Sequence, residues 1–211
     1  MAKKSQREAI LDAAEAVIAG HGLIGTTIDA VAAGAGVSKG GIFYHFASKR
    51  EMLLRLIDRH EQRFNGRRQA ILDRLPDVPG RFLKATVLAS LDIRSSRAAA
   101  ASNLVSLLDD PVLRKRATVF KRRVLKDVVR GSPRPERAVL AMLVADGLRV
   151  MEAFERVVMT DGFRRRVIGA LMELIDHFSE SEKEAGGIPA KGGRDGKRRT
   201  GRAGSVRVHR K

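Results

Sequence analysis

The chain has 211 residues, 44% of them hydrophobic, with 41 Lys or Arg against 24 Asp or Glu and a formal net charge of +17. That length supports one to two domains with a sizeable core, and the charge favours polyanionic partners. No apolar run approaches the roughly 20 residues that span a bilayer, and the absence of cysteine excludes disulfides, thiolate chemistry and Cys-ligated zinc.

Lys3, Lys4 and Arg7 open the chain as a basic arm. No apolar signal region follows, which points to a cytoplasmic protein. Ser5 and Glu8 have the spacing of a capping box. Ile10, Ala14, Val17 and Ile18 then form an apolar stripe that Gly20-His21-Gly22 ends, with His21 read as a cation near the helix C-terminus. Thr26 and Thr27 are expected to cap a short helix, with Asp29 in its first turn and Ile28, Val31 and Ala32 as its inward face. Gly34 and Gly36 suit a sharp reversal, because glycine accepts a left-handed backbone. Ser38 caps the next helix, whose inward face is Ile42, Phe43 and Phe46. Lys39, Gly41, Tyr44 and His45 are left outside. Two short helices around a tight turn, the second polar outside, describe a helix-turn-helix that can enter a DNA major groove.

Ala47 to Arg50 make a corner, and Ser48 with Glu51 forms a second capping box. This launches a long helix with Met52, Leu53, Leu56, Ile57, Phe64 and Ile71 inward, up to a break at Pro76–Pro79. Phe82, Leu83, Val87 and Leu91 form the next stripe. Leu104, Val105, Leu107 and Leu108 belong to a helix ending at Asp109-Asp110-Pro111. Asp110 and Pro111 also start the following helix, with Val119, Phe120, Val124 and Val128 inward, and Gly131-Ser132-Pro133 closes it. Two helices are expected over 135–159 and 162–178. In the first, Val139, Leu140, Leu143, Val144, Leu148, Val150, Met151 and Phe154 cover more than one face, so it is buried on two sides: by its own domain and by a partner.

The stretch AGVSKGGIFYHFASKREMLL, residues 35–54, resembles the DNA-binding segment of TetR-family regulators, and the close likeness runs from Ile10 to Leu54. The Ser48-Lys49 corner ahead of a long helix makes it more specific than a helix-turn-helix alone. Asp146-Gly147-Leu148 is also similar to a tripeptide common in the corresponding late helix of that family. The resemblance implies that the last two helices pair with their copies in a second subunit as a four-helix bundle, with Leu143, Asp146, Gly147, Val150, Phe154 and Gly169 at the homodimer interface. It further implies a small-molecule effector bound in the helical domain. Binding there would shift the helix that begins at Ser48 and release the DNA.

The expected architecture is all-α. A three-helix helix-turn-helix domain (1–50) is joined by the long helix to a helical effector-binding and dimerisation domain (51–179). A disordered basic tail (180–211) follows, because large apolar residues disappear after Ser179 and the segment cannot offset its ordering entropy. That tail either solubilises the chain or adds non-specific DNA affinity.

For phosphate contacts the candidates are Thr27, His45, Lys49 and the Lys3/Lys4 arm, since helix N-termini and cations suit phosphate. For base readout they are Ser38, Lys39, Gly41 and Tyr44, with Lys39 able to donate to guanine O6 and N7. The family more often has Thr or Ser where Gly41 stands and Tyr where Phe43 stands, so a hydroxyl contact is lost at Phe43. One short recognition helix reads too few base pairs, so a twofold dimer on a palindromic operator of double-stranded DNA is expected.

Residues 80–178 carry no motif for a ligand class, and the effector residues stay unassigned. Ser102, Asn103 and Ser106 either line a cavity or face solvent. The abundance of Leu, Val, Met and Phe suits an apolar effector and a plain core equally well. The five histidines show no pair at i, i+3 or i+4, so no metal or other cofactor is expected. Asp146, Glu152 and His177 have no nucleophile elbow, phosphate loop or ligand cluster beside them, which argues against an enzyme. A constitutive or architectural DNA-binding protein without a ligand is the remaining alternative.

Overall fold

A computed structural model describes residues 5–22, 25–92, 110–153 and 159–185, and these form eight helices with no strand among them. They are α1 Gln6–His21, α2 Ile28–Ala35, α3 Lys39–His45, α4 Lys49–Leu72, α5 Arg81–Ser90, α6 Pro111–Arg130, α7 Pro135–Ala153 and α8 Asp161–Ala185. The all-α class and the amino-terminal helix-turn-helix anticipated above are both present. Ser102, Asn103, Ser106, Phe154 and the segment from 186 onward lie outside the described residues.

Local chemistry sets most of the boundaries. Ser5, Thr27, Ser38 and Ser48 each accept a hydrogen bond from the backbone N–H three residues on, at 3.0–3.3 Å. Each satisfies one of the amides that a helix start leaves free. Gly36 ends α2 at φ +65°, where its N–H reaches Ala32 and Ala33 carbonyls, so the reversal into α3 requires the left-handed backbone that glycine adopts cheaply. Asp110 Oδ1 accepts from Val112 and Leu113 N–H ahead of α6, with Pro111 at the first position.

Four local expectations change. Thr27 alone caps α2; Thr26 is fully buried and donates to the Gly22 carbonyl at 2.8 Å. Ser5 caps α1, but Glu8 turns away from the reciprocal bond of a capping box and instead accepts from Arg59 at 3.2 Å. Val119 is 42% exposed, because the buried stripe of α6 runs through Leu113, Ala117, Val124 and Val128 and Val119 falls beside it. The last helix continues past Ser179 to Ala185: Glu, Lys and Ala are good helix formers and extend a helix without a core to pack on.

The first core joins α1 (Ile10, Ala14, Ile18), α2 (Val31, Ala32), α3 (Ile42, Phe46) and the start of α4 (Met52, Leu53, Leu56, Ile57), and α6 adds Leu113 and Ala117. A second core gathers Leu83, Val87 and Leu91 with Val128, Ala138, Ala141, Ala145, Leu171 and Ile175. Phe64, Ala89 and Val124 form a third between α4, α5 and α6. The inward side of α7 is therefore alanine, at spacings that line up on one helix face. Its larger residues Leu140, Leu143, Val144, Val150 and Met151 are 40–61% exposed. Among the described residues no helix is long and apolar enough to cross a membrane.

Candidate nucleic-acid interface and internal cavity

The second helix of the pair, α3, has only seven residues, so it depends on its neighbours for position. Ile42 and Phe46 are 0% and 1% exposed; burying two such side chains is worth roughly 1.5–3 kcal/mol each. Arg7 stacks its guanidinium 5.2 Å from the centre of the Phe46 ring. The opposite side of α3 faces solvent: Tyr44 is 86% exposed and Phe43 44%. Phe43, expected inward, is therefore half out, because Ile42 and Phe46 already occupy the inward positions one turn apart.

Lys39 Nζ, at the exposed start of α3, pairs with Asp29 of α2 at 3.2 Å. His45 Nε2 lies 3.2 Å from Gln6 Oε1, and its ring meets Tyr44 edge-on at 5.1 Å. Thr27 and Ser38 have their oxygens engaged as acceptors in the caps, which leaves each hydroxyl proton free to donate. Gly41 is half-buried, and a Cβ there would lie 3.3 Å from Val37 Cβ. The missing side chain thus serves close packing within the turn. Lys49 opens α4 just after Ser48. Glu51 Oε2 accepts from Ala47 N–H at 2.8 Å, which fixes the corner that presents Lys49. The structure thus brings Thr27, Ser38, Lys39, Tyr44, His45 and Lys49 to two helix starts and the short helix between them.

Of the expected interface residues, Leu143 and Val150 are exposed. Added Cβ atoms at Gly147 and Gly169 would meet open space. Asp146 is half-buried and accepts from Arg149 at 2.6 Å.

Two groups of residues escaped the sequence reading. The first is a set of ion pairs along α4. Arg59 reaches Glu8, Asp12 and Glu15 of α1, whereas Asp58 and Glu61 accept from Arg116 of α6. Arg123 of α6 adds a 2.8 Å pair to Glu61. The second is a cavity of about 270 Å³ between α4, α5, α6 and α7, open at an edge where Lys121, Arg122 and Leu143 are exposed. Apolar side chains including Ile57, Phe64, Val124 and Met142 line it, together with His60, Lys121, Arg122, Asp146 and Arg149. Burial and the cations Arg149, Arg67, Arg63 and Lys121 push His60 down to about 4, so it is neutral at physiological pH. Burial likewise lowers Lys121. Nothing in the spacing of these residues signals a shared cavity, since its walls come from positions 57 to 149.

Comparison with known proteins agrees with this geometry. Residues 10–56 match the family model described as bacterial regulatory proteins, tetR family, and residues 80–176 match the tetracyclin repressor-like C-terminal domain. A stretch of 53 residues is 43% identical to the HTH-type transcriptional repressor KstR2 of Mycobacterium tuberculosis. That stretch spans 25% of this chain and 26% of the relative. Solved structures that share the fold include the following three. A TetR-family transcriptional regulator from Rhodococcus sp. has TM-score 0.69 and 19% identity, with 83% of this chain and 100% of that one covered. The fatty acid degradation regulator FadR from Bacillus halodurans has TM-score 0.64 and 18% identity, over 90% and 99%. The ketosteroid transcriptional regulator KstR2 of Mycobacterium tuberculosis has TM-score 0.63 and 20% identity, over 82% and 94%.

Proposed function

Because the chain belongs to the TetR family of bacterial regulatory proteins, we propose that it is a cytoplasmic, homodimeric repressor that grips a palindromic operator and leaves it when a small molecule occupies its helical domain. The family is one of DNA-binding transcriptional regulators and not of enzymes. The observation that carries the proposal is the presentation of α3. Ile42 and Phe46 hold the helix from behind, while Tyr44 is 86% exposed and Lys39, paired with Asp29, keeps 58% of its side chain exposed. Base edges are read by such side chains, and phosphates by the Thr27, His45 and Lys49 groups around them.

Dimerisation is supported by the outer side of α7. Leu140, Leu143, Val144, Val150 and Met151 recur at one helical face and remain 40–61% exposed, with Phe163 and Leu174 of α8 exposed as well. An apolar stripe of that kind marks an interaction surface. Gly147 and Gly169, open in the single chain, would let a partner helix approach closely. Two recognition helices would then address half-sites about one DNA turn, roughly 34–36 Å, apart. The cavity supplies an effector site. A ligand that prefers one separation of the two readers shifts the population towards it and lowers DNA affinity.

Selection of bound duplexes from a random pool, followed by footprinting, tests the proposal. A regulator enriches one inverted repeat and protects a discrete window. An architectural protein, which the +17 charge by itself would suit, coats the duplex without preference.

A further inference from the structure

The cavity is apolar along most of its wall but not neutral. Ile57, Phe64, Val124, Leu125 and Met142 offer a surface for a hydrocarbon body. The wall also carries Lys121, Arg122 and Arg149, against the single carboxylate of Asp146. Arg149 is 8% exposed, so its charge is removed from water. Its Nη2 donates to Asp146 Oδ1 at 2.6 Å, yet its buried Nε has no hydrogen-bond partner. Arg149 and Lys121 on the cavity wall hold a charged acceptor more strongly than a neutral one, because a hydrogen bond between two ions is the stronger kind.

We propose that this cavity takes a small amphipathic anion, a carboxylate on a hydrocarbon body, with its head group at Arg149 and Lys121 and its body along Ile57, Phe64, Val124 and Met142. The assignment rests on reading the cavity as the effector site. The charge balance favours an anion over a cation: a ligand ammonium would compete with Arg149 for Asp146 and sit among three cations. A neutral ligand would offer the cations of the wall only the weaker hydrogen bonds of an uncharged acceptor. A volume of about 270 Å³ lies near the lower end of the roughly 300–1,000 Å³ of ligand pockets, which suits a short chain or a single ring system.

The test is calorimetric titration of the full chain with decanoate, decan-1-ol and decylamine, which share a body and differ in head group. Decanoate should bind about tenfold or more tightly than either of the others, a difference of roughly 1.4 kcal/mol. Arg149→Met should abolish that preference while binding of decan-1-ol persists. Lys121→Met, at the exposed edge of the cavity, makes the same comparison should Arg149→Met fail to fold by circular dichroism. Equal or tighter binding of the alcohol or amine overturns the assignment. So does a decanoate preference that survives these substitutions, or no binding by any of the three. Release of selected operator DNA is measured alongside. Arg149-dependent decanoate binding with unchanged DNA affinity would uphold the anion site and refute the effector role, whereas release by the alcohol alone would do the reverse.

Discussion

Arg59 of α4 donates to Asp12 of α1 at 2.9 Å, and the same guanidinium reaches Glu8 at 3.2 Å and Glu15 at 2.8 Å. Those three carboxylates lie on one face of α1 at spacings of four and three residues. The next residue along α4, His60, lines the cavity. Neighbouring positions on one helix therefore hold the helix-turn-helix on one side and line the cavity on the other. Arg116 of α6 binds Asp58 and Glu61 of the same turns, and Leu113 and Ala117 of α6 enter the reader's core. If α4 or α6 shifted at the cavity, these contacts would carry the shift to α1 and α3, the kind of rigid coupling through packed helices that moves interfaces between discrete states.

Arg59→Met should destabilise the chain by about 2–3 kcal/mol in urea unfolding. The figure is set below the 3–5 kcal/mol of a fully buried pair because the α1 carboxylates keep partial contact with water. A loss under about 0.5 kcal/mol would mean that the α1 to α4 ion pairs do not hold the reader.

His60 predicts a pH dependence of stability. Its folded pKa of about 4 lies below the ordinary 6.5, with Arg149, Arg67, Arg63 and Lys121 as the cations that face it. Between those values the unfolded chain binds a proton and the folded chain does not, so stability is full above about pH 6.5 and falls as the pH drops towards 4. The total is on the order of 3 kcal/mol. Chemical denaturation at pH 7.5 and pH 5 should show the loss, and His60→Asn should remove this component; an identical slope in the variant contradicts it.

Lys39 is held by Asp29 at 3.2 Å. Lys39→Ala should relax base preference at one position of each half-site at a cost of about 1–3 kcal/mol, whereas Lys49→Ala should weaken all sequences alike. Asp29→Asn, which frees the Lys39 ammonium and removes a negative charge from the interface, should tighten binding without changing the preferred site. Affinity measurements on a panel of single-base variants separate these outcomes.

The exposed side of α7 gives a substitution that spares the fold. Leu140→Arg with Val150→Arg alters residues 55% and 40% exposed in the single chain, so each should change monomer stability by within about 0.5 kcal/mol. The pair should nevertheless convert a sedimenting dimer to monomer and abolish operator binding at the same protein concentration. A dimer that survives both charges would place the interface elsewhere.

What could be read from the residues, and what could not, divides along sequence distance. Gly36 and Ser38 announce the turn because glycine's left-handed backbone and a serine cap are local requirements; Ser48-Glu51 and Asp110-Pro111 announce helix starts for the same reason. The double apolar surface of α7 was also legible, although its inward side turned out to be Ala138, Ala141 and Ala145. Long-range pairs were not. Glu8 looks like half of a capping box until Arg59, fifty-one residues away, is brought beside it. Arg149 gives no sign of its place until Ile57, Phe64 and Val124 are brought to the same cavity wall.

The most direct test of the whole account is sedimentation of the purified chain with and without the duplex recovered from random-pool selection. The account predicts a dimer in solution, and two chains on one inverted repeat whose half-site centres lie about one DNA turn apart. A chain that stays monomeric, or that loads duplexes of any sequence in proportion to their length, would contradict it.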